Sequence, residues 1–162
     1  MSNGRDTAGV IAPPPLLALL ALVLGVVLDR LFPVSVLSLL LSLPERIIIG
    51  AVVIGAGIAL AGPALLAFRR AQTHVEPWKP SLVLVTEGVY QWLRNPMYVG
   101  ATLLLAGLAI VLASDWTLVM TIAFAMVVHF GVVKREERYL EAKFGDAYRQ
   151  YMSTVPRYGL PF

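Results

Sequence analysis

The chain has 162 residues, of which 58% are hydrophobic and 14% charged, with a formal net charge of +3 and a mean hydropathy of +0.76. An ordinary soluble domain is about half apolar and roughly a quarter charged, and at this size it buries only about 70% of the surface its unfolded chain exposes. A water-soluble globule is thereby excluded, and a single domain largely covered by a bilayer is expected over 1–162.

Cysteine is absent, which removes disulfides, thiolate metal ligands, iron–sulfur sites and cysteine nucleophiles together. The sequence pI is near 9.4, but the basic residues flank apolar runs and form no basic stripe interleaved with aromatics in a polar domain. They read as topology signals and not as a nucleic-acid surface.

After polar residues 1–7, an apolar run opens at Pro13-Pro14-Pro15 and stays uncharged from Leu16 to Leu28. No small-residue cleavage site precedes Asp29-Arg30, so the run reads as a retained span over 16–32 and not as a secretory signal. Pro33 then breaks the helix. Residues 34–43 are too few to cross a hydrocarbon core that needs about 20, and are expected to lie on the membrane or to dip in and return. A second span is expected over 47–68, with Ala51, Gly55 and Ala59 at four-residue spacing as a face for close helix approach.

Residues 69–96 form the longest polar stretch, punctuated by Pro77, Pro80 and Pro96 and carrying Trp78, Tyr90 and Trp92. Leu82 to Thr86 is extended in character, and Glu87-Gly88 reads as a turn. Loops of this length are functional or disordered, and the aromatics argue for function. Third and fourth spans follow over 97–113 and 116–133; the short Ser114-Asp115 connection makes them an antiparallel hairpin. The tail, 134–162, continues the fourth span as a polar helix through Phe144. Gly145 stops it, Asp146 caps a short helix through Met152, and Pro156 and Pro161 keep the end extended. The expected fold is all-α and integral to the membrane, with about four transmembrane helices, a short interfacial segment, and a loop and tail that together build a site.

Eleven of the thirteen Lys and Arg residues fall on the side that carries both termini, the loop and the tail; only Arg30 and Arg46 fall on the other. By the positive-inside rule the site faces the cytoplasm, as in a protein of a bacterial inner membrane.

On that face two polar blocks meet, with Tyr90, Trp92, Arg94, Asn95 and Tyr98 in one and Glu136 and Glu137 in the other. Each side chain alone is also what any membrane protein uses as an interfacial anchor. Two features point further. Arg94-Asn95-Pro96 sets a proline at the first turn of the third span, leaving neighbouring N–H groups free at the positive end of a helix dipole. His129 is an ionisable residue inside a span, seven positions before Glu136. At α-helical pitch the two share a face, with Val133 between them.

The run Gly88-Val89-Tyr90-Gln91-Trp92-Leu93-Arg94-Asn95-Pro96-Met97-Tyr98-Val99-Gly100, followed in order by Arg135-Glu136-Glu137-Arg138-Tyr139-Leu140 and by Phe144-Gly145 with Tyr148 and Tyr151, resembles the isoprenylcysteine carboxyl methyltransferase family, itself related to membrane phospholipid methyltransferases. The resemblance covers roughly residues 65–158. It implies an S-adenosylmethionine-dependent methyltransferase without a nucleotide-binding Gly-rich turn, and no such turn occurs here. It also implies cofactor contacts from Leu82, Val83, Leu84, Val85, Tyr90, Asn95, Pro96, Met97, Tyr98 and Glu136, with no metal. Asn95 stands where the eukaryotic enzymes carry histidine, and Val132 stands where they carry a substrate-binding arginine. The implied acceptor is hydrophobic or amphipathic and enters from the membrane lipid, possessing for instance a carboxylate. A phospholipid amine or small thiol is the alternative acceptor, with His129 as candidate base, and a non-catalytic membrane scaffold is the alternative of another class. Oligomeric state is not legible in the chain.

A reporter fused after Phe162 is expected to read out as cytoplasmic; a reporter active only on the opposite face contradicts the orientation.

Overall fold

A computed structural model describes residues 6–159; Arg5 of the charge count and the expectation for Pro161 lie outside the described residues. The chain is an all-α integral membrane fold. Its helices are α1 (Pro14–Leu31), α2 (Val36–Leu40), α3 (Leu43–Arg70), α4 (Pro96–Leu112), α5 (Asp115–Val128), α6 (Lys134–Phe144) and α7 (Asp146–Thr154). A 3₁₀ turn (Gly88–Gln91) lies before α4, and a π-helical segment (His129–Val133) joins α5 to α6. Helices α1, α3 and the continuous α5–α6 rod are long and apolar enough to cross a membrane. Helix α4, at 17 residues, is about 25 Å long at 1.5 Å per residue, slightly less than a hydrocarbon core of about 30 Å. Large apolar side chains such as Val52, Ile58, Ile122 and Phe130 point outward, the arrangement that lipid and not water rewards.

The long α3 begins four residues before the expected 47, because Ser42 and Glu45 close a capping box: Glu45 Oε2 accepts from the Ser42 backbone at 2.8 Å and from its hydroxyl at 2.6 Å. That satisfies N-terminal donors in a place with little water to do so. The expected interfacial piece is the five-residue α2. Both oxygens of Asp115 accept from its first donors, Val36 N and Leu37 N, each at 3.0 Å. Asp29 at the end of α1 bonds the Ser114 hydroxyl and, at 3.3 Å, Trp116 N, while the Trp116 indole donates to the Phe32 carbonyl at 2.7 Å. These bonds tie α2 to the ends of α1 and α5 at the membrane edge, and no residue of α2 is buried.

Helices α3 and α4 pack through small residues, but not through the face expected from the sequence. Ala51, Gly55 and Ala59 are exposed, and a Cβ built on Gly55 meets nothing within 4 Å. The contact is made by Gly50 and Gly57 against Gly107 and Gly100. A Cβ on Gly57 would lie 2.8 Å from the Gly100 carbonyl oxygen, and one on Gly50 2.8 Å from that of Gly107. The spacing that matters is therefore seven residues on each helix, the seam of an antiparallel supercoil, and not the four-residue pattern that an alanine-rich helix shows by composition.

The π-helical segment also overturns the shared face expected for His129 and Glu136. A π turn takes in an extra residue, so seven positions no longer return to the same face. His129 borders a cleft between α4 and α5, Glu136 reaches a different cavity beside α6, and Val133 is fully buried in the core between α1, α4 and α5. The N-terminal segment supports the wide turn, with Ile11 N donating to the Gly131 carbonyl at 3.3 Å. Gly145 ends α6 with φ at 55°, as expected, whereas Asp146 is the first residue of α7 and pairs with Arg149 instead of capping, and α7 runs on to Thr154. Residues 82–86 form no ladder. Ser81 N and Leu82 N donate instead to the Tyr139 hydroxyl at 3.0 Å and the Thr73 hydroxyl at 2.9 Å.

Replacing Gly57 by Val is expected to cost about 1–3 kcal/mol through forced separation of α3 from α4, read as a lowered unfolding midpoint in detergent. Gly55→Val should leave the midpoint nearly unchanged, and equal effects at the two positions would contradict the assigned seam.

Candidate functional site

Three segments far apart in sequence converge where α4 begins. Glu137, 9% exposed, pairs with Arg94 Nη1 at 2.9 Å, and accepts from Arg157 Nε at 2.8 Å and Arg157 Nη2 at 2.7 Å. One carboxylate of α6 thus holds the loop before α4 and the segment after α7. Backbone bonds reinforce it: Arg94 N donates to the Pro156 carbonyl at 3.0 Å, and the Asn95 amide to the Arg157 carbonyl at 3.3 Å. Hydrogen bonding to Glu137 pushes the already high pKa of Arg157 further up, so the guanidinium keeps its charge and its charge-assisted bonds.

Aromatic packing completes the frame. The Tyr151 hydroxyl donates to the Tyr90 carbonyl at 2.6 Å, Tyr148 lies 6.1 Å from Tyr151, and Phe68 meets Tyr90 edge-on at 5.6 Å. Tyr148 and Tyr151 are the buried residues of the amphipathic α7, which lays them beneath the 3₁₀ turn. Burial pushes the Tyr148 phenol up to about 12, and burial followed by the Glu136 charge raises that of Tyr90 well beyond its usual value. Both remain neutral hydrogen-bonding groups.

Inside this frame is a narrow cavity of about 50 Å³. Val83, Leu84 and Val85 form one wall, and Tyr90, Asn95, Met97, Tyr98 and Glu136 contribute the rest of the expected set. Of the expected residues, Leu82 is exposed and Pro96 is buried as the first residue of α4; neither lines the cavity. The Tyr90 hydroxyl is buried beside the cavity with no hydrogen-bond partner among the described residues. Glu136 Oε2 accepts from the Tyr98 hydroxyl at 2.9 Å and forms no salt bridge among the described residues. Asn95 makes no side-chain cap on α4, so its first N–H groups stay available. Val83, Leu84 and Val85 are also a wall of a second cavity of about 440 Å³, which reaches Arg70 and Gly88. They stand between the two cavities.

Tyr98 has cavities on two sides. Its other neighbour is a cleft of about 390 Å³ between α4 and α5, lined by apolar groups such as Val99, Leu103 and Met126 and opening where Ile122 and Phe130 face the lipid. His129 and Tyr158 border this cleft, with His129 Nδ1 2.7 Å from the Tyr158 hydroxyl. The structure therefore brings eight of the ten expected cofactor residues around one cavity, and places the candidate base His129 apart from Glu136, on the cleft.

Sequence reasoning missed the division of labour between the adjacent glutamates. Residues one apart on an α-helix point about 100° apart, so only one of the pair can face a given cavity, and Arg94 and Arg157 claim Glu137. The role of Tyr158 carried no local signal, since its partner lies 29 positions away.

Residues 45–147 match the profile of the phospholipid methyltransferase family. Curated relatives include protein-S-isoprenylcysteine O-methyltransferase B of Arabidopsis thaliana, 36% identical over 122 residues, which cover 72% of this chain and 56% of the relative. The protein-S-isoprenylcysteine O-methyltransferase of Schizosaccharomyces pombe is 30% identical over 135 residues, 80% of this chain and 55% of the relative. An uncharacterized protein of Haemophilus influenzae is 37% identical over 62 residues, 38% of this chain and 98% of the relative. The chain spans a little over half the length of the two named enzymes. These findings bear out the resemblance carried by the two motifs.

Truncating Glu137 to Ala strands two arginines, Arg94 nearly buried and Arg157 a third exposed, and is expected to destabilise by roughly 3 kcal/mol. Arg149→Ala, which breaks only solvent-exposed pairs with Asp146 and Glu141, should cost less than about 1 kcal/mol. Denaturant unfolding in detergent distinguishes the two.

Proposed function

The chain belongs to the phospholipid methyltransferase family, and on that footing we propose that it is an S-adenosylmethionine-dependent methyltransferase whose acceptor is a lipophilic carboxylate drawn from the membrane. The observation that carries this reading is Tyr98: one ring separates a polar cavity holding an unpaired carboxylate from an apolar cleft open to lipid. A methyl donor and a lipid-borne acceptor bound on its two sides would meet there.

The groups of the polar cavity fit the donor. S-adenosylmethionine supplies a methyl group already activated on a sulfonium, together with an ammonium, a carboxylate and an adenosine. Glu136 is suited to the ammonium, because a half-buried carboxylate bonded only to a phenol gains most from a cation. The first N–H groups of α4 are suited to the carboxylate. The buried Tyr90 hydroxyl gains the partner it lacks, and the faces of Tyr90 and Tyr98 attract positive charge by cation–π contact. Ligand pockets are commonly about 300–1,000 Å³, so occupation requires the partition at Val83–Val85 to move toward the larger cavity behind it.

For the reaction, the protein has to align the acceptor with the methyl group and keep water out. The apolar walls of the cleft and residues 83–85 perform the exclusion. A carboxylate acceptor needs no proton removed, which suits a cleft whose lining contains no acid. A phospholipid amine as acceptor would need both a base and a partner for its ammonium form. The charge asymmetry of the sequence supports placing the site and both termini on the cytoplasmic side, as in a bacterial inner membrane.

Calorimetric titration of the detergent-purified protein with S-adenosylhomocysteine is expected to give saturable binding, weakened about tenfold or more by Glu136→Ala, the loss of a charge-assisted bond worth at least about 1.4 kcal/mol. Absence of binding contradicts the methyltransferase reading, and binding indifferent to Glu136→Ala contradicts the site.

A further inference from the structure

Building on the reading that the cleft receives the acceptor, we propose that His129 and Tyr158 form the pair that holds the acceptor's headgroup, with His129 donating from Nε2 to a carboxylate.

Elimination among the groups of the cleft carries the argument. Four of its lining residues bear hydrogen-bonding side chains: Tyr98, Thr102, His129 and Tyr158. The Tyr98 hydroxyl donates to Glu136 at 2.9 Å, and the Thr102 hydroxyl donates to the Tyr98 carbonyl of its own helix at 2.8 Å. The Tyr158 hydroxyl is engaged with His129 Nδ1 at 2.7 Å. The one ring nitrogen left without a partner among the described residues is Nε2 of His129. In the tautomer proposed, the Tyr158 hydroxyl donates to Nδ1 and a neutral imidazole carries its proton on Nε2, where it serves as an N–H donor beside the cleft.

The ring is held in place on two sides, edge-on to Phe130 with centroids 4.7 Å apart and tilted against Tyr158 at 5.8 Å. A donor fixed in this way loses little freedom on binding. The surroundings select the sign of the headgroup. Lys134 Nζ sits 4.8 Å from the Phe130 ring centroid, Arg157 directly precedes Tyr158, and the nearby Glu137 is already shared by Arg94 and Arg157. An N–H donor on a cleft that no acid lines, with Lys134 close by, suits a carboxylate better than an ammonium. An aliphatic chain extending from that headgroup would run outward past Met126 and Ile122 into the lipid.

In this arrangement His129 is an acceptor-binding residue and not a base, since a carboxylate arrives deprotonated. Tyr158 is a positioning residue that acts through the ring. The wide π turn gives the arrangement its place: the same backbone segment turns His129 toward the cleft and Val132 fully into the core.

The test compares N-acetyl-S-farnesylcysteine with its methyl ester, two probes that share a lipid chain and differ in the charge that His129 would read. Calorimetry on the full chain in detergent is expected to show the acid binding about tenfold or more tighter than the ester, the worth of a hydrogen bond to a charged group. In His129→Ala the preference should collapse toward unity while ester affinity, set by the apolar walls, is kept. Tyr158→Phe should lose part of the preference, and His129→Gln, which restores an N–H donor, should regain part. Retained affinity for S-adenosylhomocysteine certifies that each variant is folded. Equal binding of acid and ester by the unaltered protein, or a preference unmoved in both His129→Ala and Tyr158→Phe, overturns the proposal. Tighter binding of phosphatidylethanolamine than of the acid probe also overturns it. An intact acid preference without S-adenosylhomocysteine binding contradicts methyl transfer but leaves the pair standing as a carboxylate site.

Discussion

The shared carboxylate of Glu137 is the constraint on which the rest of the site depends. Among the described residues it forms ion pairs with both Arg94, just before α4, and Arg157, just after α7, and it does so from the first turn of α6. A buried charge triad contributes little net stability once desolvation is counted, and its value lies in register. Moving Arg94 would shift the start of α4 and with it Asn95, Met97 and Tyr98. Moving Arg157 would carry Tyr158 away from His129. Both walls of the Tyr98 partition are thus referred to one carboxylate, while its neighbour Glu136 is held by the Tyr98 hydroxyl and keeps capacity for a ligand.

The membrane part of the fold explains how so short a chain can do this. In lipid there is little hydrophobic gain in bringing helices together, so close approach must come from shape. The glycine seam between α3 and α4 supplies it, bringing backbones near enough that a Cβ at Gly57 or Gly100 would overlap a carbonyl. Where α4 faces α5, by contrast, the packing opens into the cleft beside Tyr98 and His129. Tight packing on one side of α4 and a gap on the other give the helix a fixed wall and an open one, the arrangement needed by a site approached from the bilayer.

Much of this was legible in the sequence. The fold class, the helical hairpin through Ser114-Asp115 and the Gly145 stop follow from hydropathy and turn chemistry, while the residues around the cavity were named only through the family resemblance that two motifs carry. What was not legible has a physical reason in each case. The small-residue face was misread because alanine-rich helices show four-residue spacings by composition, while the seam is set by a partner helix 50 residues away in the chain. The relation of His129 to Glu136 was not legible because a π turn leaves no mark in residue spacing; here the Gly131 carbonyl within it accepts from Ile11 N, 120 positions earlier in the chain. The division between Glu136 and Glu137 was hidden because Arg157 reaches back 20 positions to claim only one of them.

A structure of the protein with S-adenosylhomocysteine bound tests the central claim most directly. The account predicts the ligand in the cavity between Val83–Val85 and Tyr98, its amine within hydrogen-bond distance of Glu136 and its sulfur facing the Tyr98 partition, with the Glu137 bridge to Arg94 and Arg157 intact. Ligand density confined to the outer cavity beside Arg70 and Gly88, or a Glu137 bridge broken by the bound ligand, would contradict it.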